Sequence, residues 1–341
     1  TQAGKNPTVL IGAMSKNFNS SFRLGSPDLL VIEGDEYTSS CLDNTPKFLY
    51  YHPTHAILTS AELDHIDVFD TWEKQTDMFH RFCASLPQSG LLLICGDTVN
   101  PSSLKIEDLP VTRQTYGLGP NDWQATNLSL KDGHTKFDVI YHQKNIGSFT
   151  IPLVGNHYIQ DALSAIALAF SIGAGIPDIQ KALTTFKGVG QRFETIDDSH
   201  GVTIIDDYAH HPTAIKATLD AARSQFPHSK IWCIYEPHTY TRIKGLLPQF
   251  QHAFDAADTT IIADIFPARE KALIGLVHSQ DIVNVANRPD LEIKYIPTSN
   301  DILTFLKTHI RKGDVILIMA VGKFGNLSRE LANYCKSTVI T

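Results

Sequence analysis

Short apolar runs recur along the chain, each closed by polar or turn-forming residues. In the first half they cover residues 29–32, 55–58 and 91–94. Runs this short, without alternation, predict strands buried on both faces. Helical spacing appears over residues 72–85, about 158–173 and about 176–186. From about residue 100 to 150 the pattern changes. Pro101, Pro110, Gly117, Gly119, Pro120 and Gly133 punctuate short alternating pieces, such as residues 137–141. That mixture predicts a small antiparallel β insertion.

Residues 187–192 (Lys-Gly-Val-Gly-Gln-Arg) read as a linker. Beyond them strands are predicted at 202–205, 231–235, 259–262, 292–296 and 315–319. Helices are predicted at about 213–223, 243–256, 300–308 and 327–335. Regular strand–helix alternation points to a parallel sheet with helices on both faces. The expected fold is α/β. Residues 1–187 form a central domain with a mostly parallel sheet and the antiparallel insertion. Residues 188–341 form a Rossmann-like, doubly wound domain.

Composition narrows the function. Of 341 residues, 43% are hydrophobic, enough for a large core. A net charge of −7 argues against a nucleic-acid partner. No apolar run reaches the roughly 20 residues of a membrane span, so no membrane partner is expected. Thr1-Gln2-Ala3-Gly4-Lys5 does not read as a signal peptide. Five cysteines, at 41, 83, 95, 233 and 335, lack metal-ligand spacing and mostly lie in apolar runs. They read as free thiols of a reducing cytoplasm.

The densest chemistry is Asp206-Asp207-Tyr208-Ala209-His210-His211-Pro212-Thr213, where an apolar strand gives way to a helix. Ligands bind at such strand ends in open α/β sheets. Three further groups stand in like positions. Glu33-Gly34-Asp35-Glu36 offers hard oxygen ligands suited to Mg²⁺. Glu62-Leu63-Asp64-His65-Ile66-Asp67 places an imidazole between carboxylates. Two acidic turns at neighbouring strand ends would open on one crevice. Glu236 to Arg242, with His238, and Asp264 to Lys271, with Arg269, supply cations able to hold carboxylate or phosphate. The plain structural alternatives are helix caps, solvated loops and surface ion pairs.

Taken together, these segments resemble the Mur ligase family, the ATP-dependent amino-acid ligases of peptidoglycan synthesis. Residues 31–37 and 62–67 are similar to its central domain. Residues 190–194, 206–213, 237–242 and 264–271 are similar to its C-terminal domain. The resemblance implies transfer of the ATP γ-phosphate to the lactyl carboxylate of UDP-N-acetylmuramate. The amine of an amino acid or short peptide then attacks the acyl phosphate. It implies ATP and Mg²⁺ as cofactors, with Glu33 and His65 at the metal. Catalytic roles are implied for His65, His210 and Arg242. Nucleotide contacts are implied for Arg192, Asp207, His157 and Asp161. Substrate contacts are implied for Tyr208, His211, His238, Arg269 and Lys271.

Some positions depart from the family pattern. Tyr158 and Asp161 replace asparagines near the adenine, and Thr239 stands where the alanine-adding branch carries an arginine. No G-x-x-x-x-G-K-[ST] occurs. Without that phosphate loop the chain alone is expected to be inactive. Two rival functions need no such loop. One is a metal-dependent hydrolase using Glu33, Asp35, His65, Asp67, His210 and His211. The other is a non-catalytic ligand-binding module.

Overall fold

The computed structural model describes residues 1–40, 42–64, 69 and 71–340. The chain divides into two compact units, Thr1–Gly188 and Val189–Thr341.

The first unit opens with three strands absent from the apolar pattern as a group. β1 (Pro7–Ser15) is central, β2 (Ser20–Arg23) pairs with it antiparallel and β3 (Ser26–Ile32) parallel. A hairpin of β4 (Thr38–Ser40) and β5 (Asp43–Pro46) follows. Six more strands form the main sheet: β6 (His55–Leu58), β7 (Leu91–Cys95), β8 (Thr112–Gly117), β9 (Trp123–Lys131), β10 (His134–Tyr141) and β11 (Lys144–Ile151). Their order is β11-β10-β9-β8-β7-β6. The antiparallel meander β9–β11 therefore extends the main sheet and is not a separate layer. Its first turn is Asp132-Gly133, both residues at positive φ (50° and 70°), the conformation a two-residue hairpin needs.

Helices cover both faces of this sheet. On one, α1 (Trp72–Ala84) buries Met78, Phe79 and Cys83 against Leu92 and Ile94. On the other, α2 (Asn156–Ser171) and α3 (Ile176–Thr184) bury Ile159, Leu163, Ile166 and Ile179 against Leu91, Leu93, Phe137 and Phe149. Because β7 meets a helix layer on each side, all five of its residues are buried, which explains its unbroken apolar run.

The second unit contains β12 (Glu194–Asp197), β13 (Thr203–Asp207), α4 (Pro212–Gln225), β14 (Ile231–Tyr235), α5 (Tyr240–Leu246), β15 (Thr259–Ile262), α6 (Ser279–Ala286), β16 (Glu292–Tyr295), α7 (Ser299–His309), β17 (Val315–Met319) and α8 (Leu327–Ser337). The strand order is β12-β13-β17-β14-β15-β16, parallel except for β12. Chain order runs outward from β13 to β16 and then returns to place β17 between β13 and β14. All the loops after these parallel strands share one edge.

Among the helices of the second unit, two differ from expectation, and strand β12 was not expected. The helix predicted at 243–256 starts earlier, at Tyr240, and stops at Leu246. Pro248 lacks the N–H an α-helix requires, and residues Leu247–His252 tighten into a 3₁₀ turn. Arg242 therefore lies inside a helix. α6 was not expected; it buries Ile282, Val283 and Ala286.

Ile234 is wholly buried within the core that α7 and α8 cover, whereas Leu273 is 38% exposed. Ile234→Ala should cost about 2–5 kcal/mol and Leu273→Ala less than about 0.5. Urea denaturation of both variants at an unchanged m-value is the check.

Candidate active site

In the second unit the loops after β13, β14 and β15, at the carboxyl edge of the sheet, carry the polar groups. Some of these groups are turned inward. The pleat sends Asp206 and Asp207 to opposite faces of β13. Asp206 accepts from Ser328 Oγ on α8 at 2.8 Å. Asp207, 5% exposed, accepts from the Phe193 N–H and the Ala209 N–H, each at 2.7 Å, and from Thr218 Oγ1 on α4 at 3.4 Å. Burial raises both carboxyl pKa values; for Asp207 the two backbone donors and the nearby Arg192 charge oppose that rise. The two acids, read from sequence as site groups, hold the loop from inside.

His211 is likewise engaged through one ring nitrogen. It caps α4, its Nδ1 accepting from the Thr213 N–H at 3.3 Å. His210 is held differently. Its Nδ1 lies 2.9 Å from the Tyr208 carbonyl oxygen, and a carbonyl only accepts, so the proton sits on Nδ1. In the neutral ring Nε2 then carries the lone pair. Tyr235 on β14 anchors this turn by donating its hydroxyl to the His210 carbonyl at 3.0 Å. The Tyr208 ring stands edge-on to His210, and the Arg192 guanidinium lies 4.6 Å over that ring.

The loop after β14 supplies the second half. Arg242 is 4% exposed, and its Nη1 lies 3.1 Å from His238 Nδ1. A guanidinium only donates, so His238 Nδ1 must accept, and its proton sits on Nε2. The His210 and His238 rings are 6.0 Å apart, centre to centre. The edge thus holds one imidazole fixed to accept at Nε2 and another fixed to donate there. Arg269 and Lys271, on the loop after β15, are exposed.

The first unit holds a separate group. The Glu33 carboxylate lies along β1, where Oε2 accepts from the Gly12 N–H at 2.6 Å. Asp35 accepts from the Tyr37 N–H at 2.7 Å and pairs with Lys47 at 3.0 Å. β3 and β6 belong to different sheets, so the two acidic turns are not neighbouring strand ends as the sequence suggested. Within the second turn, the Asp64 N–H donates to Gln75 Oε1 at 3.1 Å. His65 and Asp67 lie outside the described residues. On α2, His157 and Asp161 stand one turn apart. Loss of solvation lowers His157 to about 4 and raises Asp161 to about 6, although Asp161 keeps part of its surface exposed.

Asp97 is a further anchor, absent from the candidate residues above. It accepts from the Leu118 and Gly119 N–H groups at 2.6 and 3.2 Å and from Gln160 Nε2 at 2.8 Å. It ties the end of β7 to the loop after β8 and to α2. Its signal was an acid two residues beyond an apolar strand.

Arginines and imidazoles gather at the carboxyl edge of a doubly wound sheet, the place where ligands bind in α/β enzymes of this architecture. The Mur ligase middle domain matches residues 22–169, and the Mur ligase, glutamate ligase domain matches residues 191–322. The UDP-N-acetylmuramate–L-alanine ligase of Caldanaerobacter subterraneus subsp. tengcongensis is 36% identical over 323 residues, 94% of this chain and 68% of that protein. That of Lachnoclostridium phytofermentans is 35% identical over 337 residues, 95% of this chain and 70% of its own. Among solved structures, a murein peptide ligase from Psychrobacter arcticus superposes with a TM-score of 0.70 at 27% identity, covering 100% of this chain and 74% of that one. The UDP-N-acetylmuramate-alanine ligase of Thermotoga maritima gives 0.76 at 21% identity, covering 98% and 70%, and shares the fold. The chain belongs to the Mur ligase family.

Glu236, half-buried just after β14, is raised from 4.5 to about 7 by loss of solvation. A folded pKa above the unfolded one gives a contribution intact below the unfolded value and lost as pH rises through the folded value. Glu236→Gln removes that ionisation. Near pH 4 the variant should match the wild type. Above pH 7 it should be more stable by about 1 kcal/mol after allowance for solvent screening. Melting curves at both pH values decide; a difference independent of pH would show an ordinarily solvated carboxylate.

Proposed function

We propose that this chain forms the central and C-terminal domains, 1–187 and 188–341, of an ATP-dependent amide ligase of peptidoglycan synthesis or recycling. It joins UDP-N-acetylmuramate to L-alanine or to a peptide headed by L-alanine. The observation that carries the reading is the paired imidazoles, His210 and His238, beside Arg242 in a member of this family.

Each group has a task in that reaction. Amide formation needs the incoming amine to lose a proton, and the Nε2 lone pair of His210 is placed to accept it. The attacked carbonyl gains negative charge, which the His238 Nε2–H and the neighbouring guanidinium of Arg242 stabilise from fixed positions. Arg192, braced on Tyr208, meets phosphate oxygens. Tyr208, Arg269 and Lys271 border the substrates. His157 and Asp161 face the nucleotide from α2. Mg²⁺ suits Glu33, whose second carboxylate oxygen makes no hydrogen bond among the described residues. The ion would neutralise phosphate charge there, with His65 as the second ligand.

Four buried free thiols, Cys83, Cys95, Cys233 and Cys335, fit a cytoplasmic setting. No helix among the described residues is long and apolar enough to cross a membrane. The hydrolase reading gains no support. Among the described residues no three His, Cys, Asp or Glu side chains gather as a metal site, and the similar proteins are ligases.

The test uses the native gene product, supplied with ATP, Mg²⁺, UDP-N-acetylmuramate and either L-alanine or an L-Ala-headed tripeptide. ADP and an amide product should form together, only when all are present. Arg242→Ala should lower kcat on the order of 100-fold. ATP-independent hydrolysis of the sugar nucleotide, with no amide formed, would overturn the reading.

A further inference from the structure

The turn that carries His238 and Arg242 is held in large part from outside, by the loop after β15. Thr239, between them, has φ 63° and ψ 140°. A β-branched residue in that region is strained by about 1–3 kcal/mol and persists only where its surroundings over-determine it. Thr239 also precedes α5 without giving the helix a side-chain cap. The first turn of α5 therefore needs a partner from elsewhere.

Glu270 is that partner. It comes from the loop after β15, 29 residues further along the chain, and is only 8% exposed. One carboxylate oxygen, Oε2, accepts from the Thr241 N–H at 3.0 Å. The other, Oε1, accepts from the Thr241 hydroxyl. Both oxygens thus bind the residue next to Arg242. The same loop adds a backbone ladder: the Thr239 N–H donates to the Phe266 carbonyl at 3.1 Å, and the Phe266 N–H to the Pro237 carbonyl at 2.8 Å. The Phe266 ring stacks on His238, with 5.9 Å between centres and 19° between planes. Glu270 itself is fixed by donating its N–H to the Pro267 carbonyl at 2.7 Å.

We infer that Glu270 is the positioning residue for the His238–Arg242 pair. By clamping Thr241 it fixes the first turn of α5, hence the direction of the Arg242 guanidinium. That guanidinium donates to His238 Nδ1 and so holds the ring with its proton on Nε2. Glu270 thereby sets which imidazole nitrogen is the donor, through two intervening residues. The ladder from Phe266 restrains the backbone around Thr239 but does not reach Thr241 or the guanidinium. The consequence for catalysis rests on the ligase reading; the state of the ring does not.

The experiment is ¹⁵N NMR of the chain labelled at histidine, near neutral pH, for wild type and Glu270→Ala. In the wild type His238 should show an unprotonated Nδ1 and a protonated Nε2, well separated in shift. In Glu270→Ala the two signals should move towards each other as the ring samples both tautomers, while His211, held by its own cap, stays unchanged. A folded Glu270→Ala protein with wild-type His238 signals overturns the inference. If that variant does not fold, Glu270→Gln serves. It keeps the shape but loses one acceptor, so partial averaging is expected, and an unchanged ring counts against Glu270. In the native gene product Glu270→Ala should lower kcat on the order of 100-fold, with KM for ATP unaltered. Unaltered kcat also overturns the role. A wild type that ligates nothing refutes the ligase reading and leaves the ring measurement standing.

Discussion

One buried carboxylate organises the carboxyl edge of the second unit. Asp207 ends β13, and its oxygens take the N–H groups of Phe193 and Ala209. The first bond ties the segment that follows the unit boundary; the second shapes the turn that presents Tyr208 and His210. The backbone of the same residue accepts from the Ala320 N–H at 3.1 Å, which joins β13 to the loop after β17. Charge is costly at 5% exposure unless it is met by donors, and here the donors are backbone groups that would otherwise be orphaned. The arrangement satisfies both sides at once. It fixes where Arg192 and Tyr208 meet.

A second carboxylate does comparable work on the other side of the edge. Asp207 and Glu270 both face inward, and each leaves an imidazole facing outward with a defined tautomer. His210 is fixed by a backbone acceptor and His238 by a guanidinium donor, so the two rings are complementary at Nε2. Preorganisation of this kind lets a site stabilise developing charge without reorganising during the reaction. The strain at Thr239 fits the same picture, since unfavourable backbone is retained where a functional turn must be held.

Much of this was legible in the residues, and the failures have physical causes. β7, β14 and β17 read directly, because burial on both faces leaves no polar position to interrupt the run. The strand-to-helix turn at 206–213 was equally plain. Side-chain direction was not. Adjacent acids look like one cluster in sequence, while the pleat sends Asp206 towards α8 and Asp207 towards α4. β1 was missed because its partners are set by pairing across sequence and Gly12 interrupts its apolar pattern beneath the Glu33 carboxylate. The spacing after Arg242 did predict a helix, but Pro248 ended it early. Residues 264–271 stood out for their cations, whereas the partner of Glu270, Thr241, lies 29 residues away and leaves no local signature.

The carboxyl edge depends most on Asp207 as its organiser. Amide hydrogen exchange, read residue by residue in wild type and Asp207→Ala, tests it directly. In the variant the Phe193 and Ala209 amides should lose most of their protection while those within β14 and β17 keep theirs. Unchanged protection at Phe193 and Ala209 in a folded variant would contradict it.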